Sequence, residues 1–188
     1  MQKTSRQLCS IPNLLSMLRI FILPFFVWAY LWAEPKTGYP LSCILLVLSG
    51  LSDLLDGFIA RRFDMVTDVG KILDPVADKL TQITILLCLT LRYPSFLPLL
   101  LVFALKELLM LTGGLLLLHR HIHPGSAKWF GKIATCFFYL SMVLVVLFPA
   151  LPFQTMAGIA AANLLLCIFA LLMYIPIFFN LKKESGKR

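Results

Sequence analysis

Six apolar runs, each close to the length of a bilayer crossing, constrain what this chain can fold into. They cover about Ile11–Trp32, Pro40–Arg61, Gly70–Leu91, Ser95–Leu118, Lys128–Leu147 and Gln154–Leu181. A helix needs roughly 20 residues to cross the hydrocarbon core, and it satisfies its own backbone hydrogen bonds there. Of the 188 residues, 60% are hydrophobic and 14% charged, against about 25% charged in an average soluble domain. The expectation is one all-α integral membrane domain over residues 1–188, with six transmembrane helices. Glu34-Pro35-Lys36-Thr37-Gly38, Tyr93-Pro94 and Pro149-Ala150-Leu151-Pro152 mark breaks between runs. Pro24 and Pro176 fall inside runs, where neighbouring helices can satisfy the carbonyl each one frees. The first run lacks a small-x-small cleavage site, so it is expected to remain as an anchor.

Lys and Arg orient these spans. One set of flanks carries Lys3, Arg6, Arg61, Arg62, Lys71, Arg120, Lys128, Lys132, Lys182, Lys183, Lys187 and Arg188; the opposite set carries Lys36 and Arg92. The asymmetry places both termini and the 62–69 and 119–127 loops in the cytoplasm. It also accounts for the net charge of +8 without a nucleic-acid partner, since basic flanks set topology and meet anionic lipid. Five cysteines stand singly, without metal-ligand spacing, and read as small apolar fillers. The expected location is a bacterial cell membrane. No internal repeat is visible, which argues against an inverted-repeat transporter.

Residues 53–78, DLLDGFIARRFDMVTDVGKILDPVAD, hold six of the nine acidic residues. Four of them (Asp53, Asp56, Asp74 and Asp78) lie within apolar runs, where each carboxylate costs on the order of 2.5–3.5 kcal/mol. Asp53 and Asp56 are three apart and share a helical face, which Gly57 and Ala60 continue as a bare groove up to Arg61. Gly70, Asp74 and Asp78 recur every four residues on the returning helix. Asp53 precedes Arg61 by the same interval at which Asp78 follows Gly70, so both acids reach about 12 Å inward and antiparallel helices bring the set to one depth. Carboxylates so close cannot all ionise unaided. Two divalent cations shared with substrate phosphates would neutralise them. A proton or ion relay is the other reading that buried acids allow.

The spacing Asp53-x-x-Asp56-Gly57-x-x-Ala60-Arg61, eight residues, then Gly70-x-x-x-Asp74-x-x-x-Asp78 resembles the complete signature of the CDP-alcohol phosphotransferases. Ile11-Pro12-Asn13-Leu14-Leu15-Ser16 with Arg19, and Leu73-Asp74-Pro75-Val76-Ala77-Asp78-Lys79, are similar to the phosphatidylglycerophosphate synthase and cardiolipin synthase branch. The resemblance implies six membrane helices, a homodimer, and a polar metal site between helices 2 and 3 that opens to the cytoplasm. It implies Mg²⁺ or Mn²⁺, two ions, on Asp53, Asp56, Asp74 and Asp78, with Asp78 also the general base. Asp56, Gly57, Ala60, Arg61 and Gly70, together with Asn13, would take the CDP-diacylglycerol donor. An acceptor hydroxyl would attack the diacylglycerol-side phosphorus, and CMP would leave.

For the acceptor, Arg120, Lys128 and Lys132 are the candidate cations for glycerol 3-phosphate, positive-inside anchoring being their other reading. Glycerophosphate-using relatives are expected to carry a segment like S-x-x-G-K-x-K-T-x-x-Q. Here Gly131, Lys132 and Thr135 fit that pattern, but Ala134 and Phe138 replace its second Lys and its Gln. Phosphatidylglycerol, the acceptor of a cardiolipin synthase, therefore stays an alternative. Intramembrane prenyl transfer would explain the acids but not the small-residue groove, and the same holds for a cation or proton transporter. Lys106-Glu107 sits mid-span as a costly pair whose members point about 100° apart, so each is expected to need its own partner. His119-Arg120-His121-Ile122-His123 reads as a solvated loop rather than a metal site. Asn13 suits a helix start and Arg19 an interfacial anchor, and both could equally contact the donor headgroup. Trp28, Trp32 and Trp129 read as interfacial aromatics.

Overall fold

The computed structural model describes residues 10–63, 67, 69–119 and 129–185, without the side chains of 57, 60, 61, 71, 114–119, 129–130 and 174–185. Every apolar run forms a helix: α1 (Ile11–Leu31), α2 (Pro35–Arg62), α3 (Gly70–Arg92), α4 (Leu97–His119), α5 (Trp129–Leu147) and α6 (Phe153–Ser185). A short 3₁₀ turn, Pro94–Phe96, precedes α4, and no strand occurs among the described residues. Four stretches are long and apolar enough to cross a membrane: Ile11–Leu31, Pro35–Asp56, Pro94–Gly113 and Phe153–Met173. Two of the six expected spans, α3 and α5, fall outside this set. Lys71, Asp74, Asp78 and Lys79 interrupt the apolar character of α3, and the described side chains of α5 give an apolar stretch over Gly131–Leu147.

The chain forms two compact units, Met1–Leu91 with Met142–Ala150 and Arg92–Ser141 with Leu151–Arg188. In the first, α1 and α2 pack as a close hairpin. The buried face of α1 runs through Asn13, Ser16, Arg19, Ile22, Phe26, Ala29 and Tyr30, a three-to-four-residue spacing that keeps one stripe inward. Its N-terminal half is polar and its C-terminal half apolar. The opposite face exposes Leu14, Leu18, Phe21, Phe25, Trp28 and Trp32, a surface suited to lipid rather than water. The α2 stripe, Tyr39, Ser42, Cys43, Leu46, Ser49, Ser52 and Asp56, matches that of α1 in length. Ser42 and Ser52 hydroxyls donate to the carbonyls of Gly38 and Leu48 at 2.7 and 2.8 Å, which satisfies them inside the helix itself. A void of about 10 Å³, lined in part by Ile22, Phe26, Leu46, Thr81 and Ile85, shows that α1, α2 and α3 share one core.

α2 begins at Pro35, earlier than the apolar run at Pro40. Proline suits the first helical position because no N–H is needed there, and the Glu34 carbonyl accepts from the N–H groups of Thr37 (3.0 Å) and Gly38 (2.7 Å). Gly38 lets the hairpin close: a Cβ there would collide with the Ala29 carbonyl and come within 3.1 Å of Ala33 Cβ.

In the second unit Phe96, Leu99, Phe103 and Phe138 are buried, and the Phe103 and Phe138 rings stack with centroids 6.0 Å apart. Asn163 of α6 donates to Ser141 Oγ of α5 and to its own Ile159 carbonyl, both at 2.9 Å. This is an amide satisfied inside an otherwise apolar contact.

The α1–α2 contact is open to a direct test. Gly38→Ala is expected to cost about 1–3 kcal/mol, because a backbone carbonyl cannot rotate away from the added methyl. Gly50→Ala, with nothing within 4 Å of the added carbon, is the matched control. Thermal melts in detergent should show Gly38→Ala several degrees lower and Gly50→Ala near the parent. Equal melting temperatures would mean that the helices do not approach as described.

Candidate active site

The polar half of α1 brings the acidic residues of α2 and α3 together. Arg19 is completely buried, with 0% of its side chain exposed; NH1 lies 2.7 Å from Asp53 Oδ1 and NH2 lies 2.6 Å from Asp56 Oδ2. The guanidinium thus lies between two carboxylates one helical turn apart: NH2 hydrogen-bonds Asp56, whereas NH1 pairs with Asp53 by charge, without hydrogen-bond alignment. Ser16, one turn earlier on the same stripe, donates to Asp74 Oδ1 at 2.5 Å and has Asp56 Oδ2 at 3.2 Å. Asp56 on α2 and Asp74 on α3 therefore meet at a single hydroxyl. Asp74 and Asp78 also lie near enough to Asp53 for their charges to act on it. Asp78 itself faces Lys79 Nζ at 3.1 Å, and that ammonium reaches Gln82 Oε1 at 3.2 Å.

Asn13 completes the α1 contribution. Its Nδ2 donates to Thr67 Oγ1 at 2.9 Å, and the same oxygen accepts the Gly70 N–H at 3.0 Å. This fixes the first residue of α3, from which Asp74 and Asp78 are counted. Gly70 is required by the approach: a Cβ there would sit 2.5 Å from Asn13 Oδ1. The helix-start role open to Asn13 is not the one it takes. Ser10 is the residue preceding α1, with no side-chain cap, and Asn13 lies three positions inside.

The sequence puts the acidic cluster between helices 2 and 3; the described contacts add α1 as a third helix touching it. Arg19 is a buried ion-pair partner and not an interfacial anchor. Ser16 and Thr67 were missed as site residues. A signal for the α1 residues is present, since Asn13, Ser16 and Arg19 recur every three residues in a run that is otherwise apolar. Thr67 offered none, because a hydroxyl in a short loop is unremarkable.

Other expected positions fall elsewhere. The side chains of Gly57, Ala60 and Arg61 lie outside the described residues, as do Arg120, Lys128 and the 121–123 histidines. Lys132 is exposed on α5 and belongs to the second unit. Lys106 and Glu107 were expected to need separate partners, yet Lys106 Nζ meets Glu107 Oε1 at 2.6 Å and lies 4.8 Å from the Phe103 ring centroid. The long Lys stem bends across the angle between adjacent residues, and the ring face adds a cation–π contact.

The donor set fits a hard divalent cation. It consists of carboxylate oxygens, the ligands that Mg²⁺ and Mn²⁺ prefer. When Asp53, Asp56 and Asp74 are ionised, the single charge of Arg19 leaves an excess of two negative charges, which one such ion matches. Among the described residues no three acidic, His or Cys side chains enclose an ion by themselves.

Sequence comparison places this arrangement in a family. The sequence model of the CDP-alcohol phosphatidyltransferases matches residues 9–181, and the chain belongs to that family. Over 133 residues it is 40% identical to a cardiolipin synthase (CMP-forming) of Streptomyces coelicolor, covering 67% of this chain and 60% of that protein. Over 138 residues it is 35% identical to a CDP-diacylglycerol–glycerol-3-phosphate 3-phosphatidyltransferase of Aquifex aeolicus, covering 72% and 75%. A protein of the same name from Pectobacterium atrosepticum is 41% identical over 85 residues, 45% of each chain.

The Asn13–Gly70 contact predicts a coupled pair. Gly70→Ala should lower the melting temperature, at a cost of about 1–3 kcal/mol from overpacking. In an Asn13→Ala background the same change should cost clearly less, because the colliding oxygen is gone. Additive losses would show that the two residues do not touch.

Proposed function

We propose that the chain is a CDP-diacylglycerol–glycerol-3-phosphate 3-phosphatidyltransferase, which moves a phosphatidyl group to the acceptor hydroxyl and releases CMP. The observation that carries this reading is the meeting of Asp53, Asp56 and Asp74 at Arg19 and Ser16, against a hairpin, α1 and α2, that is apolar enough for a bilayer. Two of the relatives carry this name. Six crossings complete the topology, with α3 crossing as its acids are neutralised and α5 as the fifth span. The Lys and Arg asymmetry puts both termini and the 62–69 and 119–127 loops on the cytoplasmic side of a bacterial membrane. The enzyme works as a homodimer, and its site opens where a lipid-tailed donor and a water-soluble acceptor can meet.

Asp53, Asp56, Asp74 and Asp78 would hold Mg²⁺ or Mn²⁺, two ions, which would supply positive charge to the diphosphate and to the departing CMP. Asp78 takes the proton from the acceptor hydroxyl as its oxygen bonds to the diacylglycerol-side phosphorus. The bond from that phosphorus to the CMP oxygen breaks, and CMP leaves with the bonding pair. Gly57, Ala60 and Gly70 leave room for the cytidine diphosphate, and Arg61 pairs with its phosphates. Arg120, Lys128 and Lys132 meet the phosphate of the acceptor.

A cardiolipin synthase reaction, with phosphatidylglycerol as acceptor, is the second reading. It is favoured by Ala134 and Phe138, which replace the Lys and Gln expected of a glycerophosphate enzyme, and by the S. coelicolor relative.

One assay separates the readings. Purified protein with CDP-diacylglycerol and Mg²⁺ or Mn²⁺ should release CMP when offered glycerol 3-phosphate. Release with phosphatidylglycerol alone would establish the second reading, and no release with any acceptor offered would remove both. Asp78→Asn should lower turnover by at least about 10²-fold, the lower range for loss of a general base, while donor binding persists. Asp53→Asn should instead weaken metal-dependent donor binding. Unchanged metal dependence there would remove Asp53 from the ligand set.

A further inference from the structure

Helix α1 holds three carboxylates by one oxygen apiece. Asp53 gives Oδ1 to Arg19 at 2.7 Å, and Asp56 gives Oδ2 to Arg19 at 2.6 Å and to Ser16 at 3.2 Å. Asp74 gives Oδ1 to Ser16 at 2.5 Å. The other oxygens, Asp53 Oδ2, Asp56 Oδ1 and Asp74 Oδ2, have no hydrogen-bond or ion-pair partner among the described residues.

We propose that Arg19 and Ser16 are positioning residues that fix these three carboxylates by one oxygen each and leave the other for a divalent cation. The inference rests on the phosphatidyltransferase reading and adds to it the residues that assemble the site before the ion arrives. Arg19 is suited to this task for three reasons. Its guanidinium does not lose its proton on burial. Its planar head lies against both carboxylates at once, hydrogen-bonded to Asp56 and paired by charge with Asp53, a spread that a point charge on a flexible stem does not cover. Its complete burial leaves it no water to retreat to, so it stays when the ion binds. Ser16 extends the same control to α3, because Asp74 and Asp56 share its hydroxyl. Outer partners of this type hold ligands in orientation, and their loss typically weakens metal affinity by about 10–100-fold.

The test compares wild type, Arg19→Lys and Ser16→Ala as full-length protein in nanodiscs. Mn²⁺ affinity is read by electron paramagnetic resonance with CDP-diacylglycerol present in the nanodisc, and helical content by circular dichroism. Arg19→Lys keeps the charge and loses the fork; Ser16→Ala removes one uncharged oxygen. Both variants are expected to stay helical and to bind Mn²⁺ about 10–100-fold more weakly. In turnover, the Mn²⁺ concentration for half-maximal rate should rise more than the saturated rate falls. If Arg19→Lys does not fold, Ser16→Ala decides alone. Wild-type binding and CMP release alongside variants with unaltered Mn²⁺ affinity would overturn this proposal and leave the functional reading intact. A wild type that binds no Mn²⁺ would overturn both.

Discussion

Arg19 has no exposed surface and cannot shed its charge, so Asp53 and Asp56 must remain beside it wherever the first unit is folded. Breaking such a buried pair by removing one partner typically costs about 3–5 kcal/mol, since the survivor is left charged and unsolvated. The arrangement also works in reverse: without Arg19, two acids one turn apart on α2 would repel each other in a low dielectric. The pair therefore ties α1 to α2 at their polar ends, much as the Gly38–Ala29 approach ties them at the other.

The α1 stripe explains how one hairpin can be both a membrane element and a polar centre. Its C-terminal half, Ile22, Phe26, Ala29 and Tyr30, is packed apolar surface. Its N-terminal half, Asn13, Ser16 and Arg19, holds polar groups whose partners lie on α2, on α3 and in the segment between them. Because Asn13, Ser16 and Arg19 each meet an acid or a hydroxyl through at least one atom, the unit carries its carboxylates at depth beside a compensating charge, although Arg19 Nε stays without a hydrogen-bond partner among the described residues. The same groups leave three carboxylate oxygens uncommitted, which is what the proposed transfer requires of them.

Much of the fold could be read from the residues. Six apolar runs became six helices, and the intervals Asp53–Asp56 and Gly70–Asp74–Asp78 put each set of acids on one face because 3.6-residue periodicity leaves no choice. The boundaries were less legible. Pro40 looks like a helix start, but Pro35 fits that position better and Gly38 lets the helix continue past Ala29. Lys106 and Glu107 show a different limit, since the angle between Cβ directions says little about where a long side chain ends.

The sequence by itself determined the helices, their apolar character and which carboxylates share a face, because these follow from local periodicity and from the cost of charge in hydrocarbon. Only the tertiary structure decided that α1 would supply the partners. Arg19 is separated from Asp53 and Asp56 by more than thirty residues, and nothing local to either distinguishes an interfacial anchor from a buried fork. The choice was made by packing: once Gly38 lets α1 and α2 close, the Arg19 side chain enters a space without water, and its charge can be met there only by the acids.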